Sequence, residues 1–368
     1  MSFDIVIAGL GAAGSAAAAH LAGRGLRVLG LDRYHPPHAL GSSHGSSRVI
    51  RETAFEHARY VPLARRAYEL WRRIEVDSES SLLHVTGVLF VGPADGPIVA
   101  GTLASAAEHG VPHEVIRGRD LSRRYPALQR LDGAVGVLEP GGGWLDPEGS
   151  VAACLRLASI RGATLHFDEP LERWQPDGDG VAVTTTRGTY RAGRLLLAAG
   201  PWMPGLLGEA AGLSVERQVQ HWLSPAAADA AQLPIFIRQV PEGVFYALPP
   251  AGDGETIKVA VHHAGAATTP QAVDRTVSPA EIAATRALLE RYVPPLAGPH
   301  RHAAVCLYTN SRDGQFVIDR HPSHRAVVVA SACSGFGFKF ASVVGEIAAD
   351  LLQDRTPPFD LAPFRFGR

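Results

Sequence analysis

The sequence predicts an α/β fold in two parts: a parallel sheet wrapped by helices, and a second, α+β part built on a mixed or antiparallel sheet. Three observations carry this. Residues 3–8, Phe-Asp-Ile-Val-Ile-Ala, form a mostly apolar run that leads into Gly9-Leu-Gly11-Ala-Ala-Gly14; an Ala-rich stretch and a second apolar run ending at Asp32 follow. The end of the chain repeats a strand–loop–helix order, with Arg325–Ala330, Ser334–Lys339 and an apolar stretch to about Leu352. Between them, from about Leu213 to Tyr308, strand-like runs and loops hold one helical segment, Pro279–Tyr292.

The first run is read as a buried strand and the Ala-rich stretch as a helix, so the order is strand, Gly-x-Gly-x-x-Gly, helix, strand, acid within about thirty residues. This is the Rossmann-type dinucleotide-binding pattern, and its spacing has physical reasons. Gly9 permits a tight turn, Gly11 lets the backbone approach a pyrophosphate, and Gly14 lets helix pack closely on strand. The helix N-terminus offers free N–H groups and a partial positive charge. Asp32, eighteen positions after Gly14, can accept from a ribose diol, which favours FAD or NAD over NADP.

The remaining elements follow in order. Tyr34–Ser47 reads as an irregular polar loop; its Gly41-Ser-Ser43-His-Gly45 matches a hydrolase elbow by letter only, since no apolar strand leads into it. Val61, Ala64, Ala67, Tyr68, Trp71 and Ile74 form a helical stripe over about Tyr60–Glu75, with Arg65, Arg66, Arg72 and Arg73 on a solvated face. Leu82–Leu138 alternates short strands and turns around a helix near Gly101–His109, Gly141–Glu148 reads as a linker, and Pro147–Ile160 as a helix. A hairpin, Gly180–Thr186 and Thr189–Arg191, leads to the apolar strand Arg194–Gly200. The nucleotide-binding part is therefore expected to be discontinuous, with residues 1–81, 145–212 and 318–368, and the substrate part to comprise 82–144 and 213–317.

The chain has 368 residues, 46% of them hydrophobic, enough for a large core. With 35 basic and 36 acidic side chains and no long run of either sign, nothing points to nucleic acid or a lipid surface. The apolar N-terminus lacks a basic leader and carries Asp4, which argues against a signal peptide, and no run is long enough to span a bilayer. Cys154, Cys306 and Cys333 suit a reducing cytoplasm, and the scattered histidines suggest no metal site.

Five separated stretches carry a resemblance over nearly the whole length: Gly41-Ser-Ser-His44-Gly-Ser-Ser-Arg48-Val-Ile-Arg51, Tyr60-Val-Pro-Leu, Lys258-Val-Ala-Val-His262, Cys306-Leu-Tyr308-Thr-Asn, and Ser334-Gly-Phe-Gly-Phe-Lys339-Phe. In these the chain resembles the monomeric sarcosine oxidase and N-methyltryptophan oxidase group, within the D-amino acid oxidase superfamily. The resemblance implies a monomeric, FAD-dependent enzyme that oxidises a secondary, N-methylated or cyclic amine and passes the electrons to O2, giving H2O2. Cys306 matches the cysteine that family members bond to the flavin 8α-methyl carbon; read alone, it is a small core thiol. Lys258 matches the lysine that activates oxygen, and alternation places it on one strand face with Thr256 and Ala260, where an inward cation needs a reason.

Arg51 and Lys339 match the pair that grips a substrate carboxylate, a role suited to two cations of which one is a bidentate fork. Lys339 is expected in a first helical turn, where the dipole disfavours a cation unless an anion is near. Arg48 and His44 match residues against the flavin ring, Tyr246 and Tyr308 match cavity aromatics, and His262, or His263 beside it, matches a cavity histidine. Placing Tyr246 requires one extra residue in the Pro250–Gly254 loop. Arg33, Ser42, Ser43, Val49, Leu171, Gly200, Trp202, Gly335, Gly337 and Phe338 complete the implied cofactor contacts. Two departures, Phe336 and Glu52 where sarcosine-type members carry His, suggest a flat or cyclic substrate and an altered charge at the rim. The implied alternative is a biosynthetic oxidase of a piperidine- or pyrroline-type carboxylate.

Overall fold

In the computed structural model, which describes residues 2–208, 211–227, 233–248, 250 and 254–368, the strand Ser2–Ala8 sits at the centre of a parallel sheet. Val28–Leu31 and then Thr164–His166 lie on one side of it, Gly188–Leu197 and then His324–Ser331 on the other. Val317–His321 closes that edge antiparallel, and the hairpin Leu171–Asp177 with Gly180–Thr185 pairs with the first half of Gly188–Leu197. The hairpin's return and the apolar strand expected after it are one continuous strand, Gly188–Leu197.

Small residues set the spacing of the helices behind this sheet. Ala16 to Ala19 of the helix Ala12–Gly23 are all buried. A Cβ on Gly14 would fall 1.8 Å from the Gly9 carbonyl oxygen, and one on Gly345, in the helix Ala341–Leu352, would fall 2.7 Å from the Ala16 Cβ. Only glycine lets backbone approach backbone this closely. The helix Pro147–Ile160 has its expected limits, and Asp146 caps it by accepting from the Gly149 N–H at 2.9 Å. The amphipathic helix runs Tyr60–Ser78, slightly past its expected end, and its apolar stripe is buried. Its arginines are more engaged than a solvated face implies: Arg66 forks onto Glu346 at 2.9 and 2.6 Å, and Arg65 pairs with Glu52.

The second sheet is mixed. Its strands include Val88–Pro93, Ala134–Glu139, Leu213–Leu223, Ile235–Val240, Gly243–Leu248, Ile257–His262 and His300–Ser311, all antiparallel to their neighbours except for the parallel pair Val88–Pro93 and Ile235–Val240. The helix Pro279–Tyr292 packs Thr285, Leu289 and Tyr292 inward. The Gly141–Glu148 stretch is not a linker: Gly143–Leu145 is the middle strand of a small sheet between Arg48–Ile50 and Leu83–Val85. A Cβ on Gly143 would fall 1.9 Å from the His84 carbonyl, so its glycine serves strand contact rather than flexibility. Among the described residues no helix is long and apolar enough to cross a membrane, and no His, Cys, Asp and Glu cluster is placed to hold a metal ion.

Candidate active site

The register of the second sheet brings its functional side chains to one face. Trp222 lies opposite Lys258, Gln218 opposite Cys306, Glu216 opposite Tyr308, and Tyr246 opposite Ala260. Period-2 alternation then puts Lys258, His262, Cys306, Tyr308 and Tyr246 on the same side. That face, the glycine turn after Ala8 and the loop from Asp32 to Arg51 enclose a cavity of about 410 Å³. Apart from Gly14 and His44, every residue assigned to the site by the sequence lines it: Gly9, Gly11, Asp32, Arg33, Ser42, Ser43, Arg48, Val49, Arg51, Leu171, Gly200, Trp202, Tyr246, Lys258, His262, Cys306, Tyr308, Gly335, Phe336, Gly337, Phe338 and Lys339.

At the glycine end, Gly9 has φ +93°, and a Cβ there would fall 2.6 Å from the Ala198 carbonyl oxygen. The helix beginning at Ala12 has no acid in its first turn and a glycine at its N-cap, so its positive end faces the cavity with only the Ser43 hydroxyl on the Ala12 N–H, at 3.2 Å. Asp32 is buried and accepts from the Leu10 and Tyr34 N–H groups at 2.7 and 2.9 Å, with His38 3.5 Å from its other side. Tyr34 packs against His38 and Trp202. Ser331 lines the cavity with a buried hydroxyl that finds no protein partner. A helix N-terminus free of acids, a glycine cradle and an orphaned hydroxyl fit a dinucleotide cofactor.

At the other end the charge is positive. Arg51 is 2% exposed; its guanidinium donates to the Thr53 carbonyl, pairs with Glu56 at 2.6 Å and lies 4.3 Å over the Phe55 ring. Lys339, 3% exposed, donates to the Phe336 carbonyl at 3.3 Å, and burial together with Arg51 pulls its ammonium down to about 7. It stands in a single 3₁₀ turn just before the helix Ala341–Leu352, one turn ahead of the expected place. Burial works to raise the Glu56 carboxyl, but Arg51 and Lys339 outweigh it and hold it below the ordinary carboxylate range, while Oε2 has no partner.

Lys258, also 3% exposed, donates to the Gly45 carbonyl at 3.0 Å and to the Ser47 carbonyl. Burial and the charge of Arg48 push its ammonium well below its ordinary value. Arg48 donates to the Ser47 and Ser42 carbonyls at 2.9 and 3.1 Å and reaches the Cys306 sulfur at 3.6 Å. Glu148 fixes the same loop by accepting from Gly45 N–H at 2.6 Å. His262 faces the cavity and meets the Tyr308 hydroxyl at 3.3 Å; burial lowers its imidazole to about 4. His263 instead points outward to Glu216.

Three residues stand in surroundings that their motifs do not suggest. His44 does not line the cavity: it is a buried member of the loop with Nε2 unpartnered, and burial next to Arg48 and Lys258 lowers it to about 3. Glu52 sets no charge at the rim, because it turns to Arg65. Phe336 lines the cavity but is held in a core cluster, stacked on Phe316 at 5.0 Å and edge-on to Tyr60 at 5.1 Å. The Pro250–Gly254 loop lies partly outside the described residues. The sequence reading missed Phe55 and Glu56, which share the cavity wall with Arg51. Their only signal was proximity to Arg51 in the chain.

The profile of FAD dependent oxidoreductases matches residues 4–351. The chain belongs to that family. It is 43% identical to a monomeric sarcosine oxidase from Streptomyces avermitilis over 99% of this chain and 97% of that one. It is 36% identical to an N-methyl-L-tryptophan oxidase from Salmonella arizonae, covering 100% of this chain and 99% of the other. Its fold matches that of NikD, described as an unusual amino acid oxidase essential for nikkomycin biosynthesis, with a TM-score of 0.88 at 28% identity over 99% of this chain and 97% of NikD. The family is thus FAD-dependent.

Proposed function

We propose that the protein is an FAD-dependent oxidase of a secondary, N-methylated or cyclic amino acid, producing an imine that is then hydrolysed and H2O2 from O2. The observation that carries this reading is the pair of buried cations Arg51 and Lys339 beside aromatic walls, in the same cavity as Lys258 and Cys306. On the cavity wall two desolvated cations face one carboxylate, Glu56, and Glu139 behind them is pushed toward its neutral form by burial, which leaves a net positive subsite for an amino-acid carboxylate. Tyr246, Tyr308 and Phe55 surround the rest of the substrate, and His262, held near neutral charge by burial, offers a hydrogen bond without competing for the anion. FAD, when bound, supplies the electron acceptor for the carbon next to the amine and returns the electrons to O2. Gly9, Gly11, Asp32 and the start of the helix Ala12–Gly23 would hold its phosphates and ribose. Cys306 would anchor it through a thioether, and Lys258 would provide the fixed positive charge at the O2 site. In this reading 1–81, 145–212 and 318–368 bind the cofactor, and 82–144 and 213–317 shape the substrate side.

A biosynthetic oxidase of a cyclic amine or imine carboxylate is the second reading, favoured by the likeness to NikD, an amino acid oxidase of nikkomycin biosynthesis. Acid precipitation tests the cofactor assignment: the yellow colour is expected in the pellet, and in the supernatant for Cys306→Ala. A peroxide-coupled screen of N-methyl and cyclic amino acids then separates the two readings. A pellet without colour would overturn the thioether, and a colourless protein the whole proposal.

A further inference from the structure

Gln220 is a buried amide in the wall of the cavity. It lies on the strand Leu213–Leu223, is 2% exposed, lines the cavity, and leaves Oε1 buried without a hydrogen-bond partner. Its register sets it opposite Ala304, two residues from the Gln218–Cys306 pair and two from the Trp222–Lys258 pair, so it stands between the sulfur and the ammonium on their shared face. The amide rests on Gly45: a Cβ built there would fall 2.1 Å from Oε1. The carbonyl of that same Gly45 accepts from Lys258 Nζ at 3.0 Å, and Ser47 takes a second Lys258 proton. An ammonium has three protons, so one is left over, while Gln220 Oε1 rests on the glycine whose carbonyl takes the first.

A buried amide oxygen without a donor is unfavourable, and a leucine would fill the same volume without that cost. We infer that Gln220 is a positioning residue for Lys258: its Oε1 and the third Lys258 proton share one bound water, which fixes the ammonium toward the cavity at the O2-reactive corner. The inference rests on the oxidase reading of the site. The water accepts from Lys258 and donates to Gln220, leaving one O–H for the cavity. Because carbonyl and water oxygens favour the charged amine, the arrangement also opposes the burial that drives Lys258 toward neutrality. The other charged or titratable groups around Lys258 are Arg48 and His44 from the loop, Cys306 from its strand, and Glu148 from the helix Pro147–Ile160.

The test compares Gln220→Leu, which removes the acceptor, with Gln220→Glu, which keeps one, in flavin-loaded protein. Reduction by an amine without oxygen and reoxidation by O2 are followed separately, and the resting protein's visible spectrum is titrated with base. Gln220→Leu is expected to slow reoxidation by about tenfold or more, the loss of one hydrogen bond to a charged group, and to move the spectral transition of Lys258 to lower pH. Reduction should stay within about twofold. Gln220→Glu should move the spectral transition to higher pH, because a carboxylate next to the ammonium favours its charged form. Unchanged reoxidation in Gln220→Leu, an equal fall in both half-reactions, or a Glu variant whose transition moves to lower pH as in the Leu variant overturns the inference. A wild-type protein that no amine reduces overturns the oxidase reading itself, which distinguishes that failure from this one.

Discussion

Replacing Lys339 with methionine should make the ligand-free protein more stable and less able to bind a carboxylate. The two side chains have similar length and the site is closed to solvent, so packing changes little, within about 1.5 kcal/mol. Burial and the neighbouring Arg51 lower the Lys339 ammonium from 10.5 to about 7, with Glu56 and Glu139 opposing. At about 1.36 kcal/mol for each tenfold, that fall corresponds to a cost of about 5 kcal/mol, fully present below pH 7. Between pH 7 and 10.5 the unfolded chain holds the proton that the fold has released, so stability rises with pH and the cost fades. Methionine carries no such cost. Urea unfolding at fixed flavin loading should therefore show Lys339→Met ahead of wild type at pH 6, with the gap narrowing by about 3 kcal/mol by pH 9. The same variant should bind a carboxylate inhibitor about tenfold or more weakly, a charged hydrogen bond having been lost. Equal stability at pH 6, or a gap that does not change with pH, would refute the view of Lys339 as a desolvated cation kept for an anion.

Other variants probe separate parts of the site. Glu56→Gln removes the anion paired with Arg51, so a carboxylate inhibitor should bind about tenfold tighter by equilibrium titration, as expected for one competing charge. Lys258→Met should slow reoxidation by O2 by about a hundredfold while leaving reduction by the amine within about twofold, followed by stopped-flow absorbance. Gly14→Ala places a Cβ 1.8 Å from the Gly9 carbonyl; the protein should lose about 3 kcal/mol by denaturant unfolding and purify with less flavin.

The parts of this molecule that were legible in the sequence are those fixed by local spacing. The glycine turn before Ala12, the helices Pro147–Ile160 and Pro279–Tyr292, and the inward phase of Lys258 each follow from periodicity or a cap, which are properties of a few neighbouring residues. What depends on distant pairing was not legible. Gly143 reads as a linker residue until the strands Arg48–Ile50 and Leu83–Val85 close on it. Glu52 and Glu56 sit in one short loop, yet only the fold turns Glu56 to the buried Arg51 and Glu52 to the exposed Arg65. His44 and Gln220 illustrate the same limit: one matched a motif and does not line the cavity, the other matched none and does.

The most direct test of the account is to mix the purified, flavin-loaded protein with N-methyl and cyclic amino acids in the absence of oxygen and watch its yellow absorbance. The account predicts that at least one such amine bleaches the colour, that air restores it, and that one peroxide appears for each amine consumed. A colour that no amine bleaches, or that a nicotinamide cofactor bleaches instead, would contradict it.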